Sequence, residues 1–253
     1  MSVRRRFGMF AAASVAALGV EAAWAVLRPA PRFGELDPSG RLGGRQLPSL
    51  RVVALGDSTL TGIGLDHADQ IWVRLLAARL ANSFSVELHS FAVGGSKASD
   101  ILASQLEPAV ELAPGLALVS VGANDMLRGV PIPRFEQELD EIAGRLSQVA
   151  QLVLLSGVGD LGTIPRLLPP LRHYMTRRSR AGDAAHARVA GRRGVVHAQQ
   201  WGWSRDRFRQ PEAFAADLFH ASADGHEVWA EVAWQALEPH LERLQQQGDM
   251  PTT

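Results

Sequence analysis

From Ser49 onward the chain alternates short apolar runs with segments of helical period, and that alternation restricts the fold more than any other feature. Arg51–Leu55, Phe84–Val93, Leu116–Val121, Leu152–Leu155 and Val195–Ala198 read as strands, near-continuously apolar and stopped by glycine or turn residues. Between them, Gln70–Leu80, Ser99–Leu106, Pro133–Val149, Arg177–Arg192 and Ser222–Leu244 read as helices, the third with Phe135, Leu139, Ile142 and Leu146 on one face. Strands this apolar are covered on both faces, which predicts a mainly parallel five-stranded sheet inside an α/β/α sandwich. In such sheets a ligand sits beyond the carboxyl ends of the strands. The residues that follow each strand are therefore the ones to read for chemistry.

After the first strand comes Gly56-Asp57-Ser58-Thr59, a hydroxyl on a tight turn whose own N–H faces the same space. It lacks the Gly-x-Ser-x-Gly elbow of the common α/β-hydrolases. After the second comes Gly94-Gly95-Ser96, where glycines leave backbone N–H groups open to a ligand. After the third comes Gly122-Ala123-Asn124-Asp125, in which the asparagine amide is a neutral, directed donor. Before the last helix, Asp217 and His220 stand three positions apart, a carboxylate able to hold an imidazole in one tautomer. Each motif alone reads as a turn or a helix cap. Together, in this order, they supply a nucleophile, oxyanion donors, a base and its orienting acid.

These four blocks resemble those of the SGNH, or GDSL-type, hydrolase superfamily, from Arg51 to the last helix. The resemblance implies a flavodoxin-like fold, Ser58, Asp217 and His220 as catalytic residues, and an oxyanion hole from Ser58 N–H, Gly95 N–H and the Asn124 amide. It implies an ester hydrolase working through an acyl-enzyme, on a small-molecule, lipid or glycan ester. Envelope-glycan O-acetyl esterase or acetyltransferase activity and a non-catalytic tethered binding module are the alternatives. Thr59, Ser90 and Ala221 depart from the usual motif residues Leu, Asn and Pro.

Other groups read as structural. His226 lies inside the last helix and is expected to pack or cap, Asp160 to form a turn, Trp201 and Trp203 to pack, and the arginines of 175–193 to form a solvated helix face. Gly62-Ile-Gly64 lacks a third glycine, no phosphate loop occurs, and the histidines and acids show no metal spacing, so no cofactor or metal is expected. A net charge of zero gives no general attraction to nucleic acid. No cysteine is present, which excludes a disulfide or thiolate chemistry.

Residues 1–27 form a separate unit. Arg4, Arg5 and Arg6 precede the apolar run Phe7–Val20, Glu21 interrupts it, and Ala22–Leu27 resume it around Ala23-Trp24-Ala25. This pattern predicts an export signal or a retained membrane anchor, either of which puts the body outside the cytoplasm, secreted or attached to the membrane. Residues 28–48, rich in proline and glycine, read as a linker or arm, 49–245 as the hydrolase domain and 246–253 as a tail.

Overall fold

The computed structural model describes residues 19–21, 23–24 and 27–245. The tail, and all of the N-terminal signal or anchor before Gly19, lie outside the described residues. Among the described residues no helix is long and apolar enough to cross a membrane.

Six strands form one sheet in the order β1-β3-β2-β4-β5-β6. They are β1 (Gly40–Leu42), β2 (Ser49–Gly56), β3 (Ser85–Ser90), β4 (Leu116–Ser120), β5 (Leu152–Ser156) and β6 (Val196–Ala198). β2 to β6 are mutually parallel and have the flavodoxin order. β1 is added antiparallel on the outer edge of β3, which makes six strands where five were expected. The arm is therefore partly built into the sheet. A three-residue, glycine-led strand is too short to show an alternating pattern, so the sequence gives it the look of a linker.

Alternate residues of β2 serve opposite faces, as the pleat requires. Val52 and Ala54 join the core under α1 (Trp72–Leu80) and the last long helix, while Val53 and Leu55 join the core on the other side. That second core is covered by the helical run 98–111 (α2), by α4 (Ile132–Leu146) and by α5 (Leu171–Arg193). The short α3 (Ala123–Leu127) follows β4 directly, α6 (Gln200–Trp203) follows β6, and α7 (Ala223–Leu237) follows the Asp217–His220 loop. α7 stops before the predicted end at Leu244 because Pro239 cannot continue the hydrogen-bond ladder.

The arginine-rich helix α5 is not a freely solvated face along its length. Arg188 and Arg192 pair with Glu136, and Arg192 and Arg193 with Asp140, both acids lying on α4. These arginines hold the Glu136 and Asp140 carboxyls below the usual range, by hydrogen bonding first.

Candidate active site

Strand register brings Ser58 and Asn124 to one place. Gly56 pairs with Ser120, and Ser120 with Ser156, so β2, β4 and β5 end level. Ser58 lies two residues beyond Gly56 and Asn124 four beyond Ser120, on either side of the point where strand order reverses. Gly122 is the hinge, with φ of 118°, and a Cβ there would come within 2.7 Å of Val158. Only glycine lets α3 start so close to the strand end and point Asn124 back at Ser58.

Ser58, Asn124 and His220 line one cavity of about 110 Å³. Its deeper wall is largely apolar, including Ile63, Leu161, Ile164, Phe208, Phe214 and Trp229. The Ser58 hydroxyl makes no hydrogen bond among the described residues, and Ser58 lines this space. Asn124 Nδ2 donates to Asp57 Oδ2 at 3.1 Å, which uses one amide hydrogen and leaves the second available. Asp57 Oδ1 accepts the Thr59 N–H at 3.0 Å, so this carboxylate shapes the nucleophile turn and aims the asparagine together. Burial pushes the Asp57 carboxyl up, against the hydrogen bonds from Thr59 and Asn124 and the nearby His220.

His220 and Asp217 come from the loop before α7. His220 Nδ1 is 2.6 Å from Asp217 Oδ2, while Asp217 Oδ1 accepts the N–H groups of Phe219 and His220 at 2.9 and 3.0 Å. Burial alone would raise the Asp217 carboxyl, but these three bonds and the imidazole outweigh it and hold the group below its usual range. The carboxylate thus stays ionised and accepts a hydrogen bond from Nδ1–H, leaving Nε2 as the acceptor. Leu218, between the two, has φ of 61°, a left-handed conformation that costs a residue with a Cβ roughly 1–3 kcal/mol. The turn it makes folds the acid back under the imidazole.

Gly95 has φ of 80° and sits on the loop beyond β3, and it is not among the residues that line the cavity. The Arg128 guanidinium lies over it, 3.3 Å from where a Cβ would be. The loop is fastened from below. Gln105, buried in the widened π-helical turn of α2, accepts the Gly56 N–H at 2.8 Å and donates to Gly56 O and to Ser96 Oγ at 3.0 and 3.1 Å. Asp125 accepts the Ala98 N–H at 3.2 Å and is pushed up to about 6, chiefly by burial. Gln105, Asp125 and the tie between Asp57 and Asn124 went unseen in the sequence. The glutamine carries no signal, and the two acids lie within the quoted motifs but read there as caps.

The groups set aside fall into place differently. Asp160 lines the cavity yet is engaged with Gly162, Thr176 and Arg205. His226 is buried, its Nδ1 accepting the Trp72 N–H at 3.1 Å, and burial with the adjacent His220 lowers it to about 3. It is therefore neutral, carries its proton on Nε2, and lines the cavity beside Trp229. Trp203, expected to pack, is 64% exposed, and neither it nor Trp201 reaches the cavity. α6 is a single turn, too short to bury both indoles.

A serine hydroxyl, a carboxylate-oriented imidazole and an asparagine amide converging on one cavity at the strand ends define a serine hydrolase. The chain belongs to the GDSL-like lipase/acylhydrolase family, whose model matches residues 54–228. It is similar to the GDSL-like esterase Rv1075c of Mycobacterium tuberculosis, 29% identical over 205 residues, which cover 78% of this chain and 65% of that protein. It is similar also to the esterase TesA of Pseudomonas aeruginosa, 30% identical over 115 residues, covering 45% of this chain and 57% of the relative. Each match thus spans less than two thirds of the curated relative's length. A crystal structure of TesA superposes with a TM-score of 0.63 at 26% identity, covering 75% of this chain and 98% of that one. The acetylxylan esterase Axe2 of Geobacillus stearothermophilus shares the fold, with a TM-score of 0.59 at 16% identity over 77% of this chain and 96% of its own.

Proposed function

We propose that the protein hydrolyses carboxylic esters through an acyl-enzyme on Ser58, outside the cytoplasm. The observation that carries this reading is the 2.6 Å contact of Asp217 with His220 Nδ1, in a loop whose imidazole shares a cavity with Ser58 and Asn124. In the proposed cycle His220 Nε2 takes the Ser58 proton as Oγ attacks the ester carbonyl. The oxyanion is held by the Asn124 amide with the Ser58 and Gly95 N–H groups, each such donor being worth about 10²–10³ in rate. The imidazolium then protonates the leaving alcohol, and water resolves the acyl-enzyme by the same steps reversed. The apolar wall formed by Phe208, Phe214 and Trp229 favours a hydrocarbon acyl or alcohol part over a sugar. Export rests on the basic and apolar N-terminal pattern alone.

The test is turnover of a panel of short- and medium-chain aryl esters, with labelling by a fluorophosphonate. Both are expected in the wild type and lost in Ser58→Ala and His220→Ala. A wild-type protein that neither turns over any ester nor takes the label would sink the proposal. Cell fractionation of the full chain checks the compartment.

A further inference from the structure

We propose that Glu35, on the arm before β1, is a positioning residue for the oxyanion hole, its carboxylate setting the peptide between Gly94 and Gly95 so that the Gly95 N–H is presented to the oxyanion. This rests on the ester-hydrolase reading and adds to it what holds one of the oxyanion donors in place.

Among the described residues neither the Ser58 N–H nor the Gly95 N–H has a hydrogen-bond partner, while the N–H groups beside them do. The Thr59 N–H goes to Asp57 Oδ1 at 3.0 Å, and the Gly94 N–H to Glu35 Oε1 at 3.2 Å. The two free donors differ in how they are aimed. Ser58 sits in a turn that Asp57 shapes from within. The free N–H of Gly95 belongs to a peptide flanked by glycine on both sides, and such a peptide has little orientation of its own. Something outside the loop has to fix it.

The rest of the loop is tied on either side of the glycine pair. The Val93 N–H donates to Gly56 O at 3.2 Å, and the Ser96 N–H and hydroxyl donate to Val93 O at 3.2 and 2.7 Å. The gap between these ties is where Glu35 acts. Its Oε1 lies where a side chain on Gly94 would begin, and Ile63 Cδ1 is 3.5 Å from the same point. Gly94 is therefore wedged between the arm and Ile63, a residue that lines the Ser58 cavity. A side chain at position 94 would displace the carboxylate.

The arm itself is anchored on both sides of the site. The Leu36 N–H donates at 2.7 Å to the carbonyl of Thr61, three residues beyond Ser58. Ser39 Oγ accepts the Ser90 N–H at 3.0 Å, Arg74 Nη1 reaches the Pro38 carbonyl at 3.3 Å, and β1 pairs with β3. Glu35 and Leu36 thus bridge the loop that follows Ser58 and the loop that carries Gly95. The arm lies outside residues 54–228, the stretch matched by the family model, so the bridge comes from a segment beyond the matched domain.

Full-length wild type, Glu35→Ala and Glu35→Gln test this, the glutamine keeping an acceptor for the Gly94 N–H. Each is assayed on a soluble aryl ester and with an alkyl trifluoromethyl ketone, whose adduct with a serine carries the same oxyanion. In Glu35→Ala kcat should fall about five- to tenfold, a fraction of the 10²–10³ that loss of a whole donor costs, with KM within about twofold. The inhibition constant of the ketone should rise by a similar factor. Glu35→Gln should restore both to within about twofold of wild type. Solvent exchange of the Gly94 amide, read by NMR on glycine-labelled protein, should be about tenfold faster in Glu35→Ala than in the other two. A kcat for Glu35→Ala within twofold of wild type overturns the proposal, as does an equal loss in both variants or an unchanged Gly94 exchange rate. A wild type that turns over no ester sinks the hydrolase reading instead, and the exchange rates then still report whether the carboxylate holds the loop.

Discussion

Ser58 and Asn124 follow within four residues of strands that end level in the middle of the sheet, whereas Asp217 and His220 hang on a loop that enters no strand of that sheet. The first half inherits its geometry from the core, and its cross-braces, Gln105, Asp57 and Asp125, are buried side chains from separate segments. The second half is held mainly by local means, a left-handed leucine and two backbone N–H bonds into Asp217, with one long-range tie from Arg166 to the carbonyl of that same residue. The difference teaches that Ser58 and Asn124 are secured by global stability and Asp217 and His220 by a strained turn. Damage to the first should show in unfolding, and damage to the second in rate alone.

The largest expected effect falls on the loop half. Asp217→Asn keeps the shape but removes the acceptor that selects the Nδ1 tautomer, and kcat on an aryl ester should fall about 10³–10⁴-fold. The thermal midpoint should move little, and a loss of less than tenfold in kcat would contradict the assigned role. Next comes the sheet half. Gln105→Leu removes three hydrogen bonds and strands the N–H of Gly56, whose carbonyl keeps the Val93 N–H, so denaturant titration should show a loss of about 1–3 kcal/mol. A rate defect without that loss would break the contrast. Leu218→Gly relieves the left-handed strain but frees the turn. Stability should change by less than about 1 kcal/mol while kcat drops several-fold, and unchanged kcat would show that the turn needs no such restraint.

The smallest effect is one of pH. Folding raises the Asp125 carboxyl to about 6, so its contribution is fully present below the ordinary carboxylate range near pH 4. It is lost as pH rises through about 6, because the folded state then bears a poorly solvated charge. Asp125→Asn keeps an acceptor for Ala98 and cannot ionise. Thermal midpoints across pH 4 to 7 should therefore fall in the wild type relative to this variant, and parallel curves would remove the titration from Asp125.

The strand ends were legible because a buried parallel strand leaves an unbroken apolar run, and the stop after it is where chemistry collects. Gly56-Asp57-Ser58, Gly122-Ala123-Asn124 and the pair Asp217 and His220 could be read for that reason. Gln105 could not be, since its role exists only where a widened helical turn meets the end of β2, 49 residues away. The strand within the arm went unseen for a related cause. β1 gains its pairing from β3, and Glu35 its partner from Gly94, and neither contact has a local pattern. Trp203 shows the reverse error, an aromatic residue assumed to be inside because of its type alone.

The direction of β1 has a spatial consequence. Because it runs antiparallel to β3, its first residue, Gly40, pairs with Leu88 toward the carboxyl end of that strand. The arm just before β1 therefore enters the sheet at the end where β2 and β4 lead into Ser58 and Asn124. α7 starts just after His220 and runs for 15 residues, about 22 Å, before the chain reaches Gln245. α7 thus carries the described end of the chain away from the strand ends that hold Ser58 and Asn124, while the arm stays beside them.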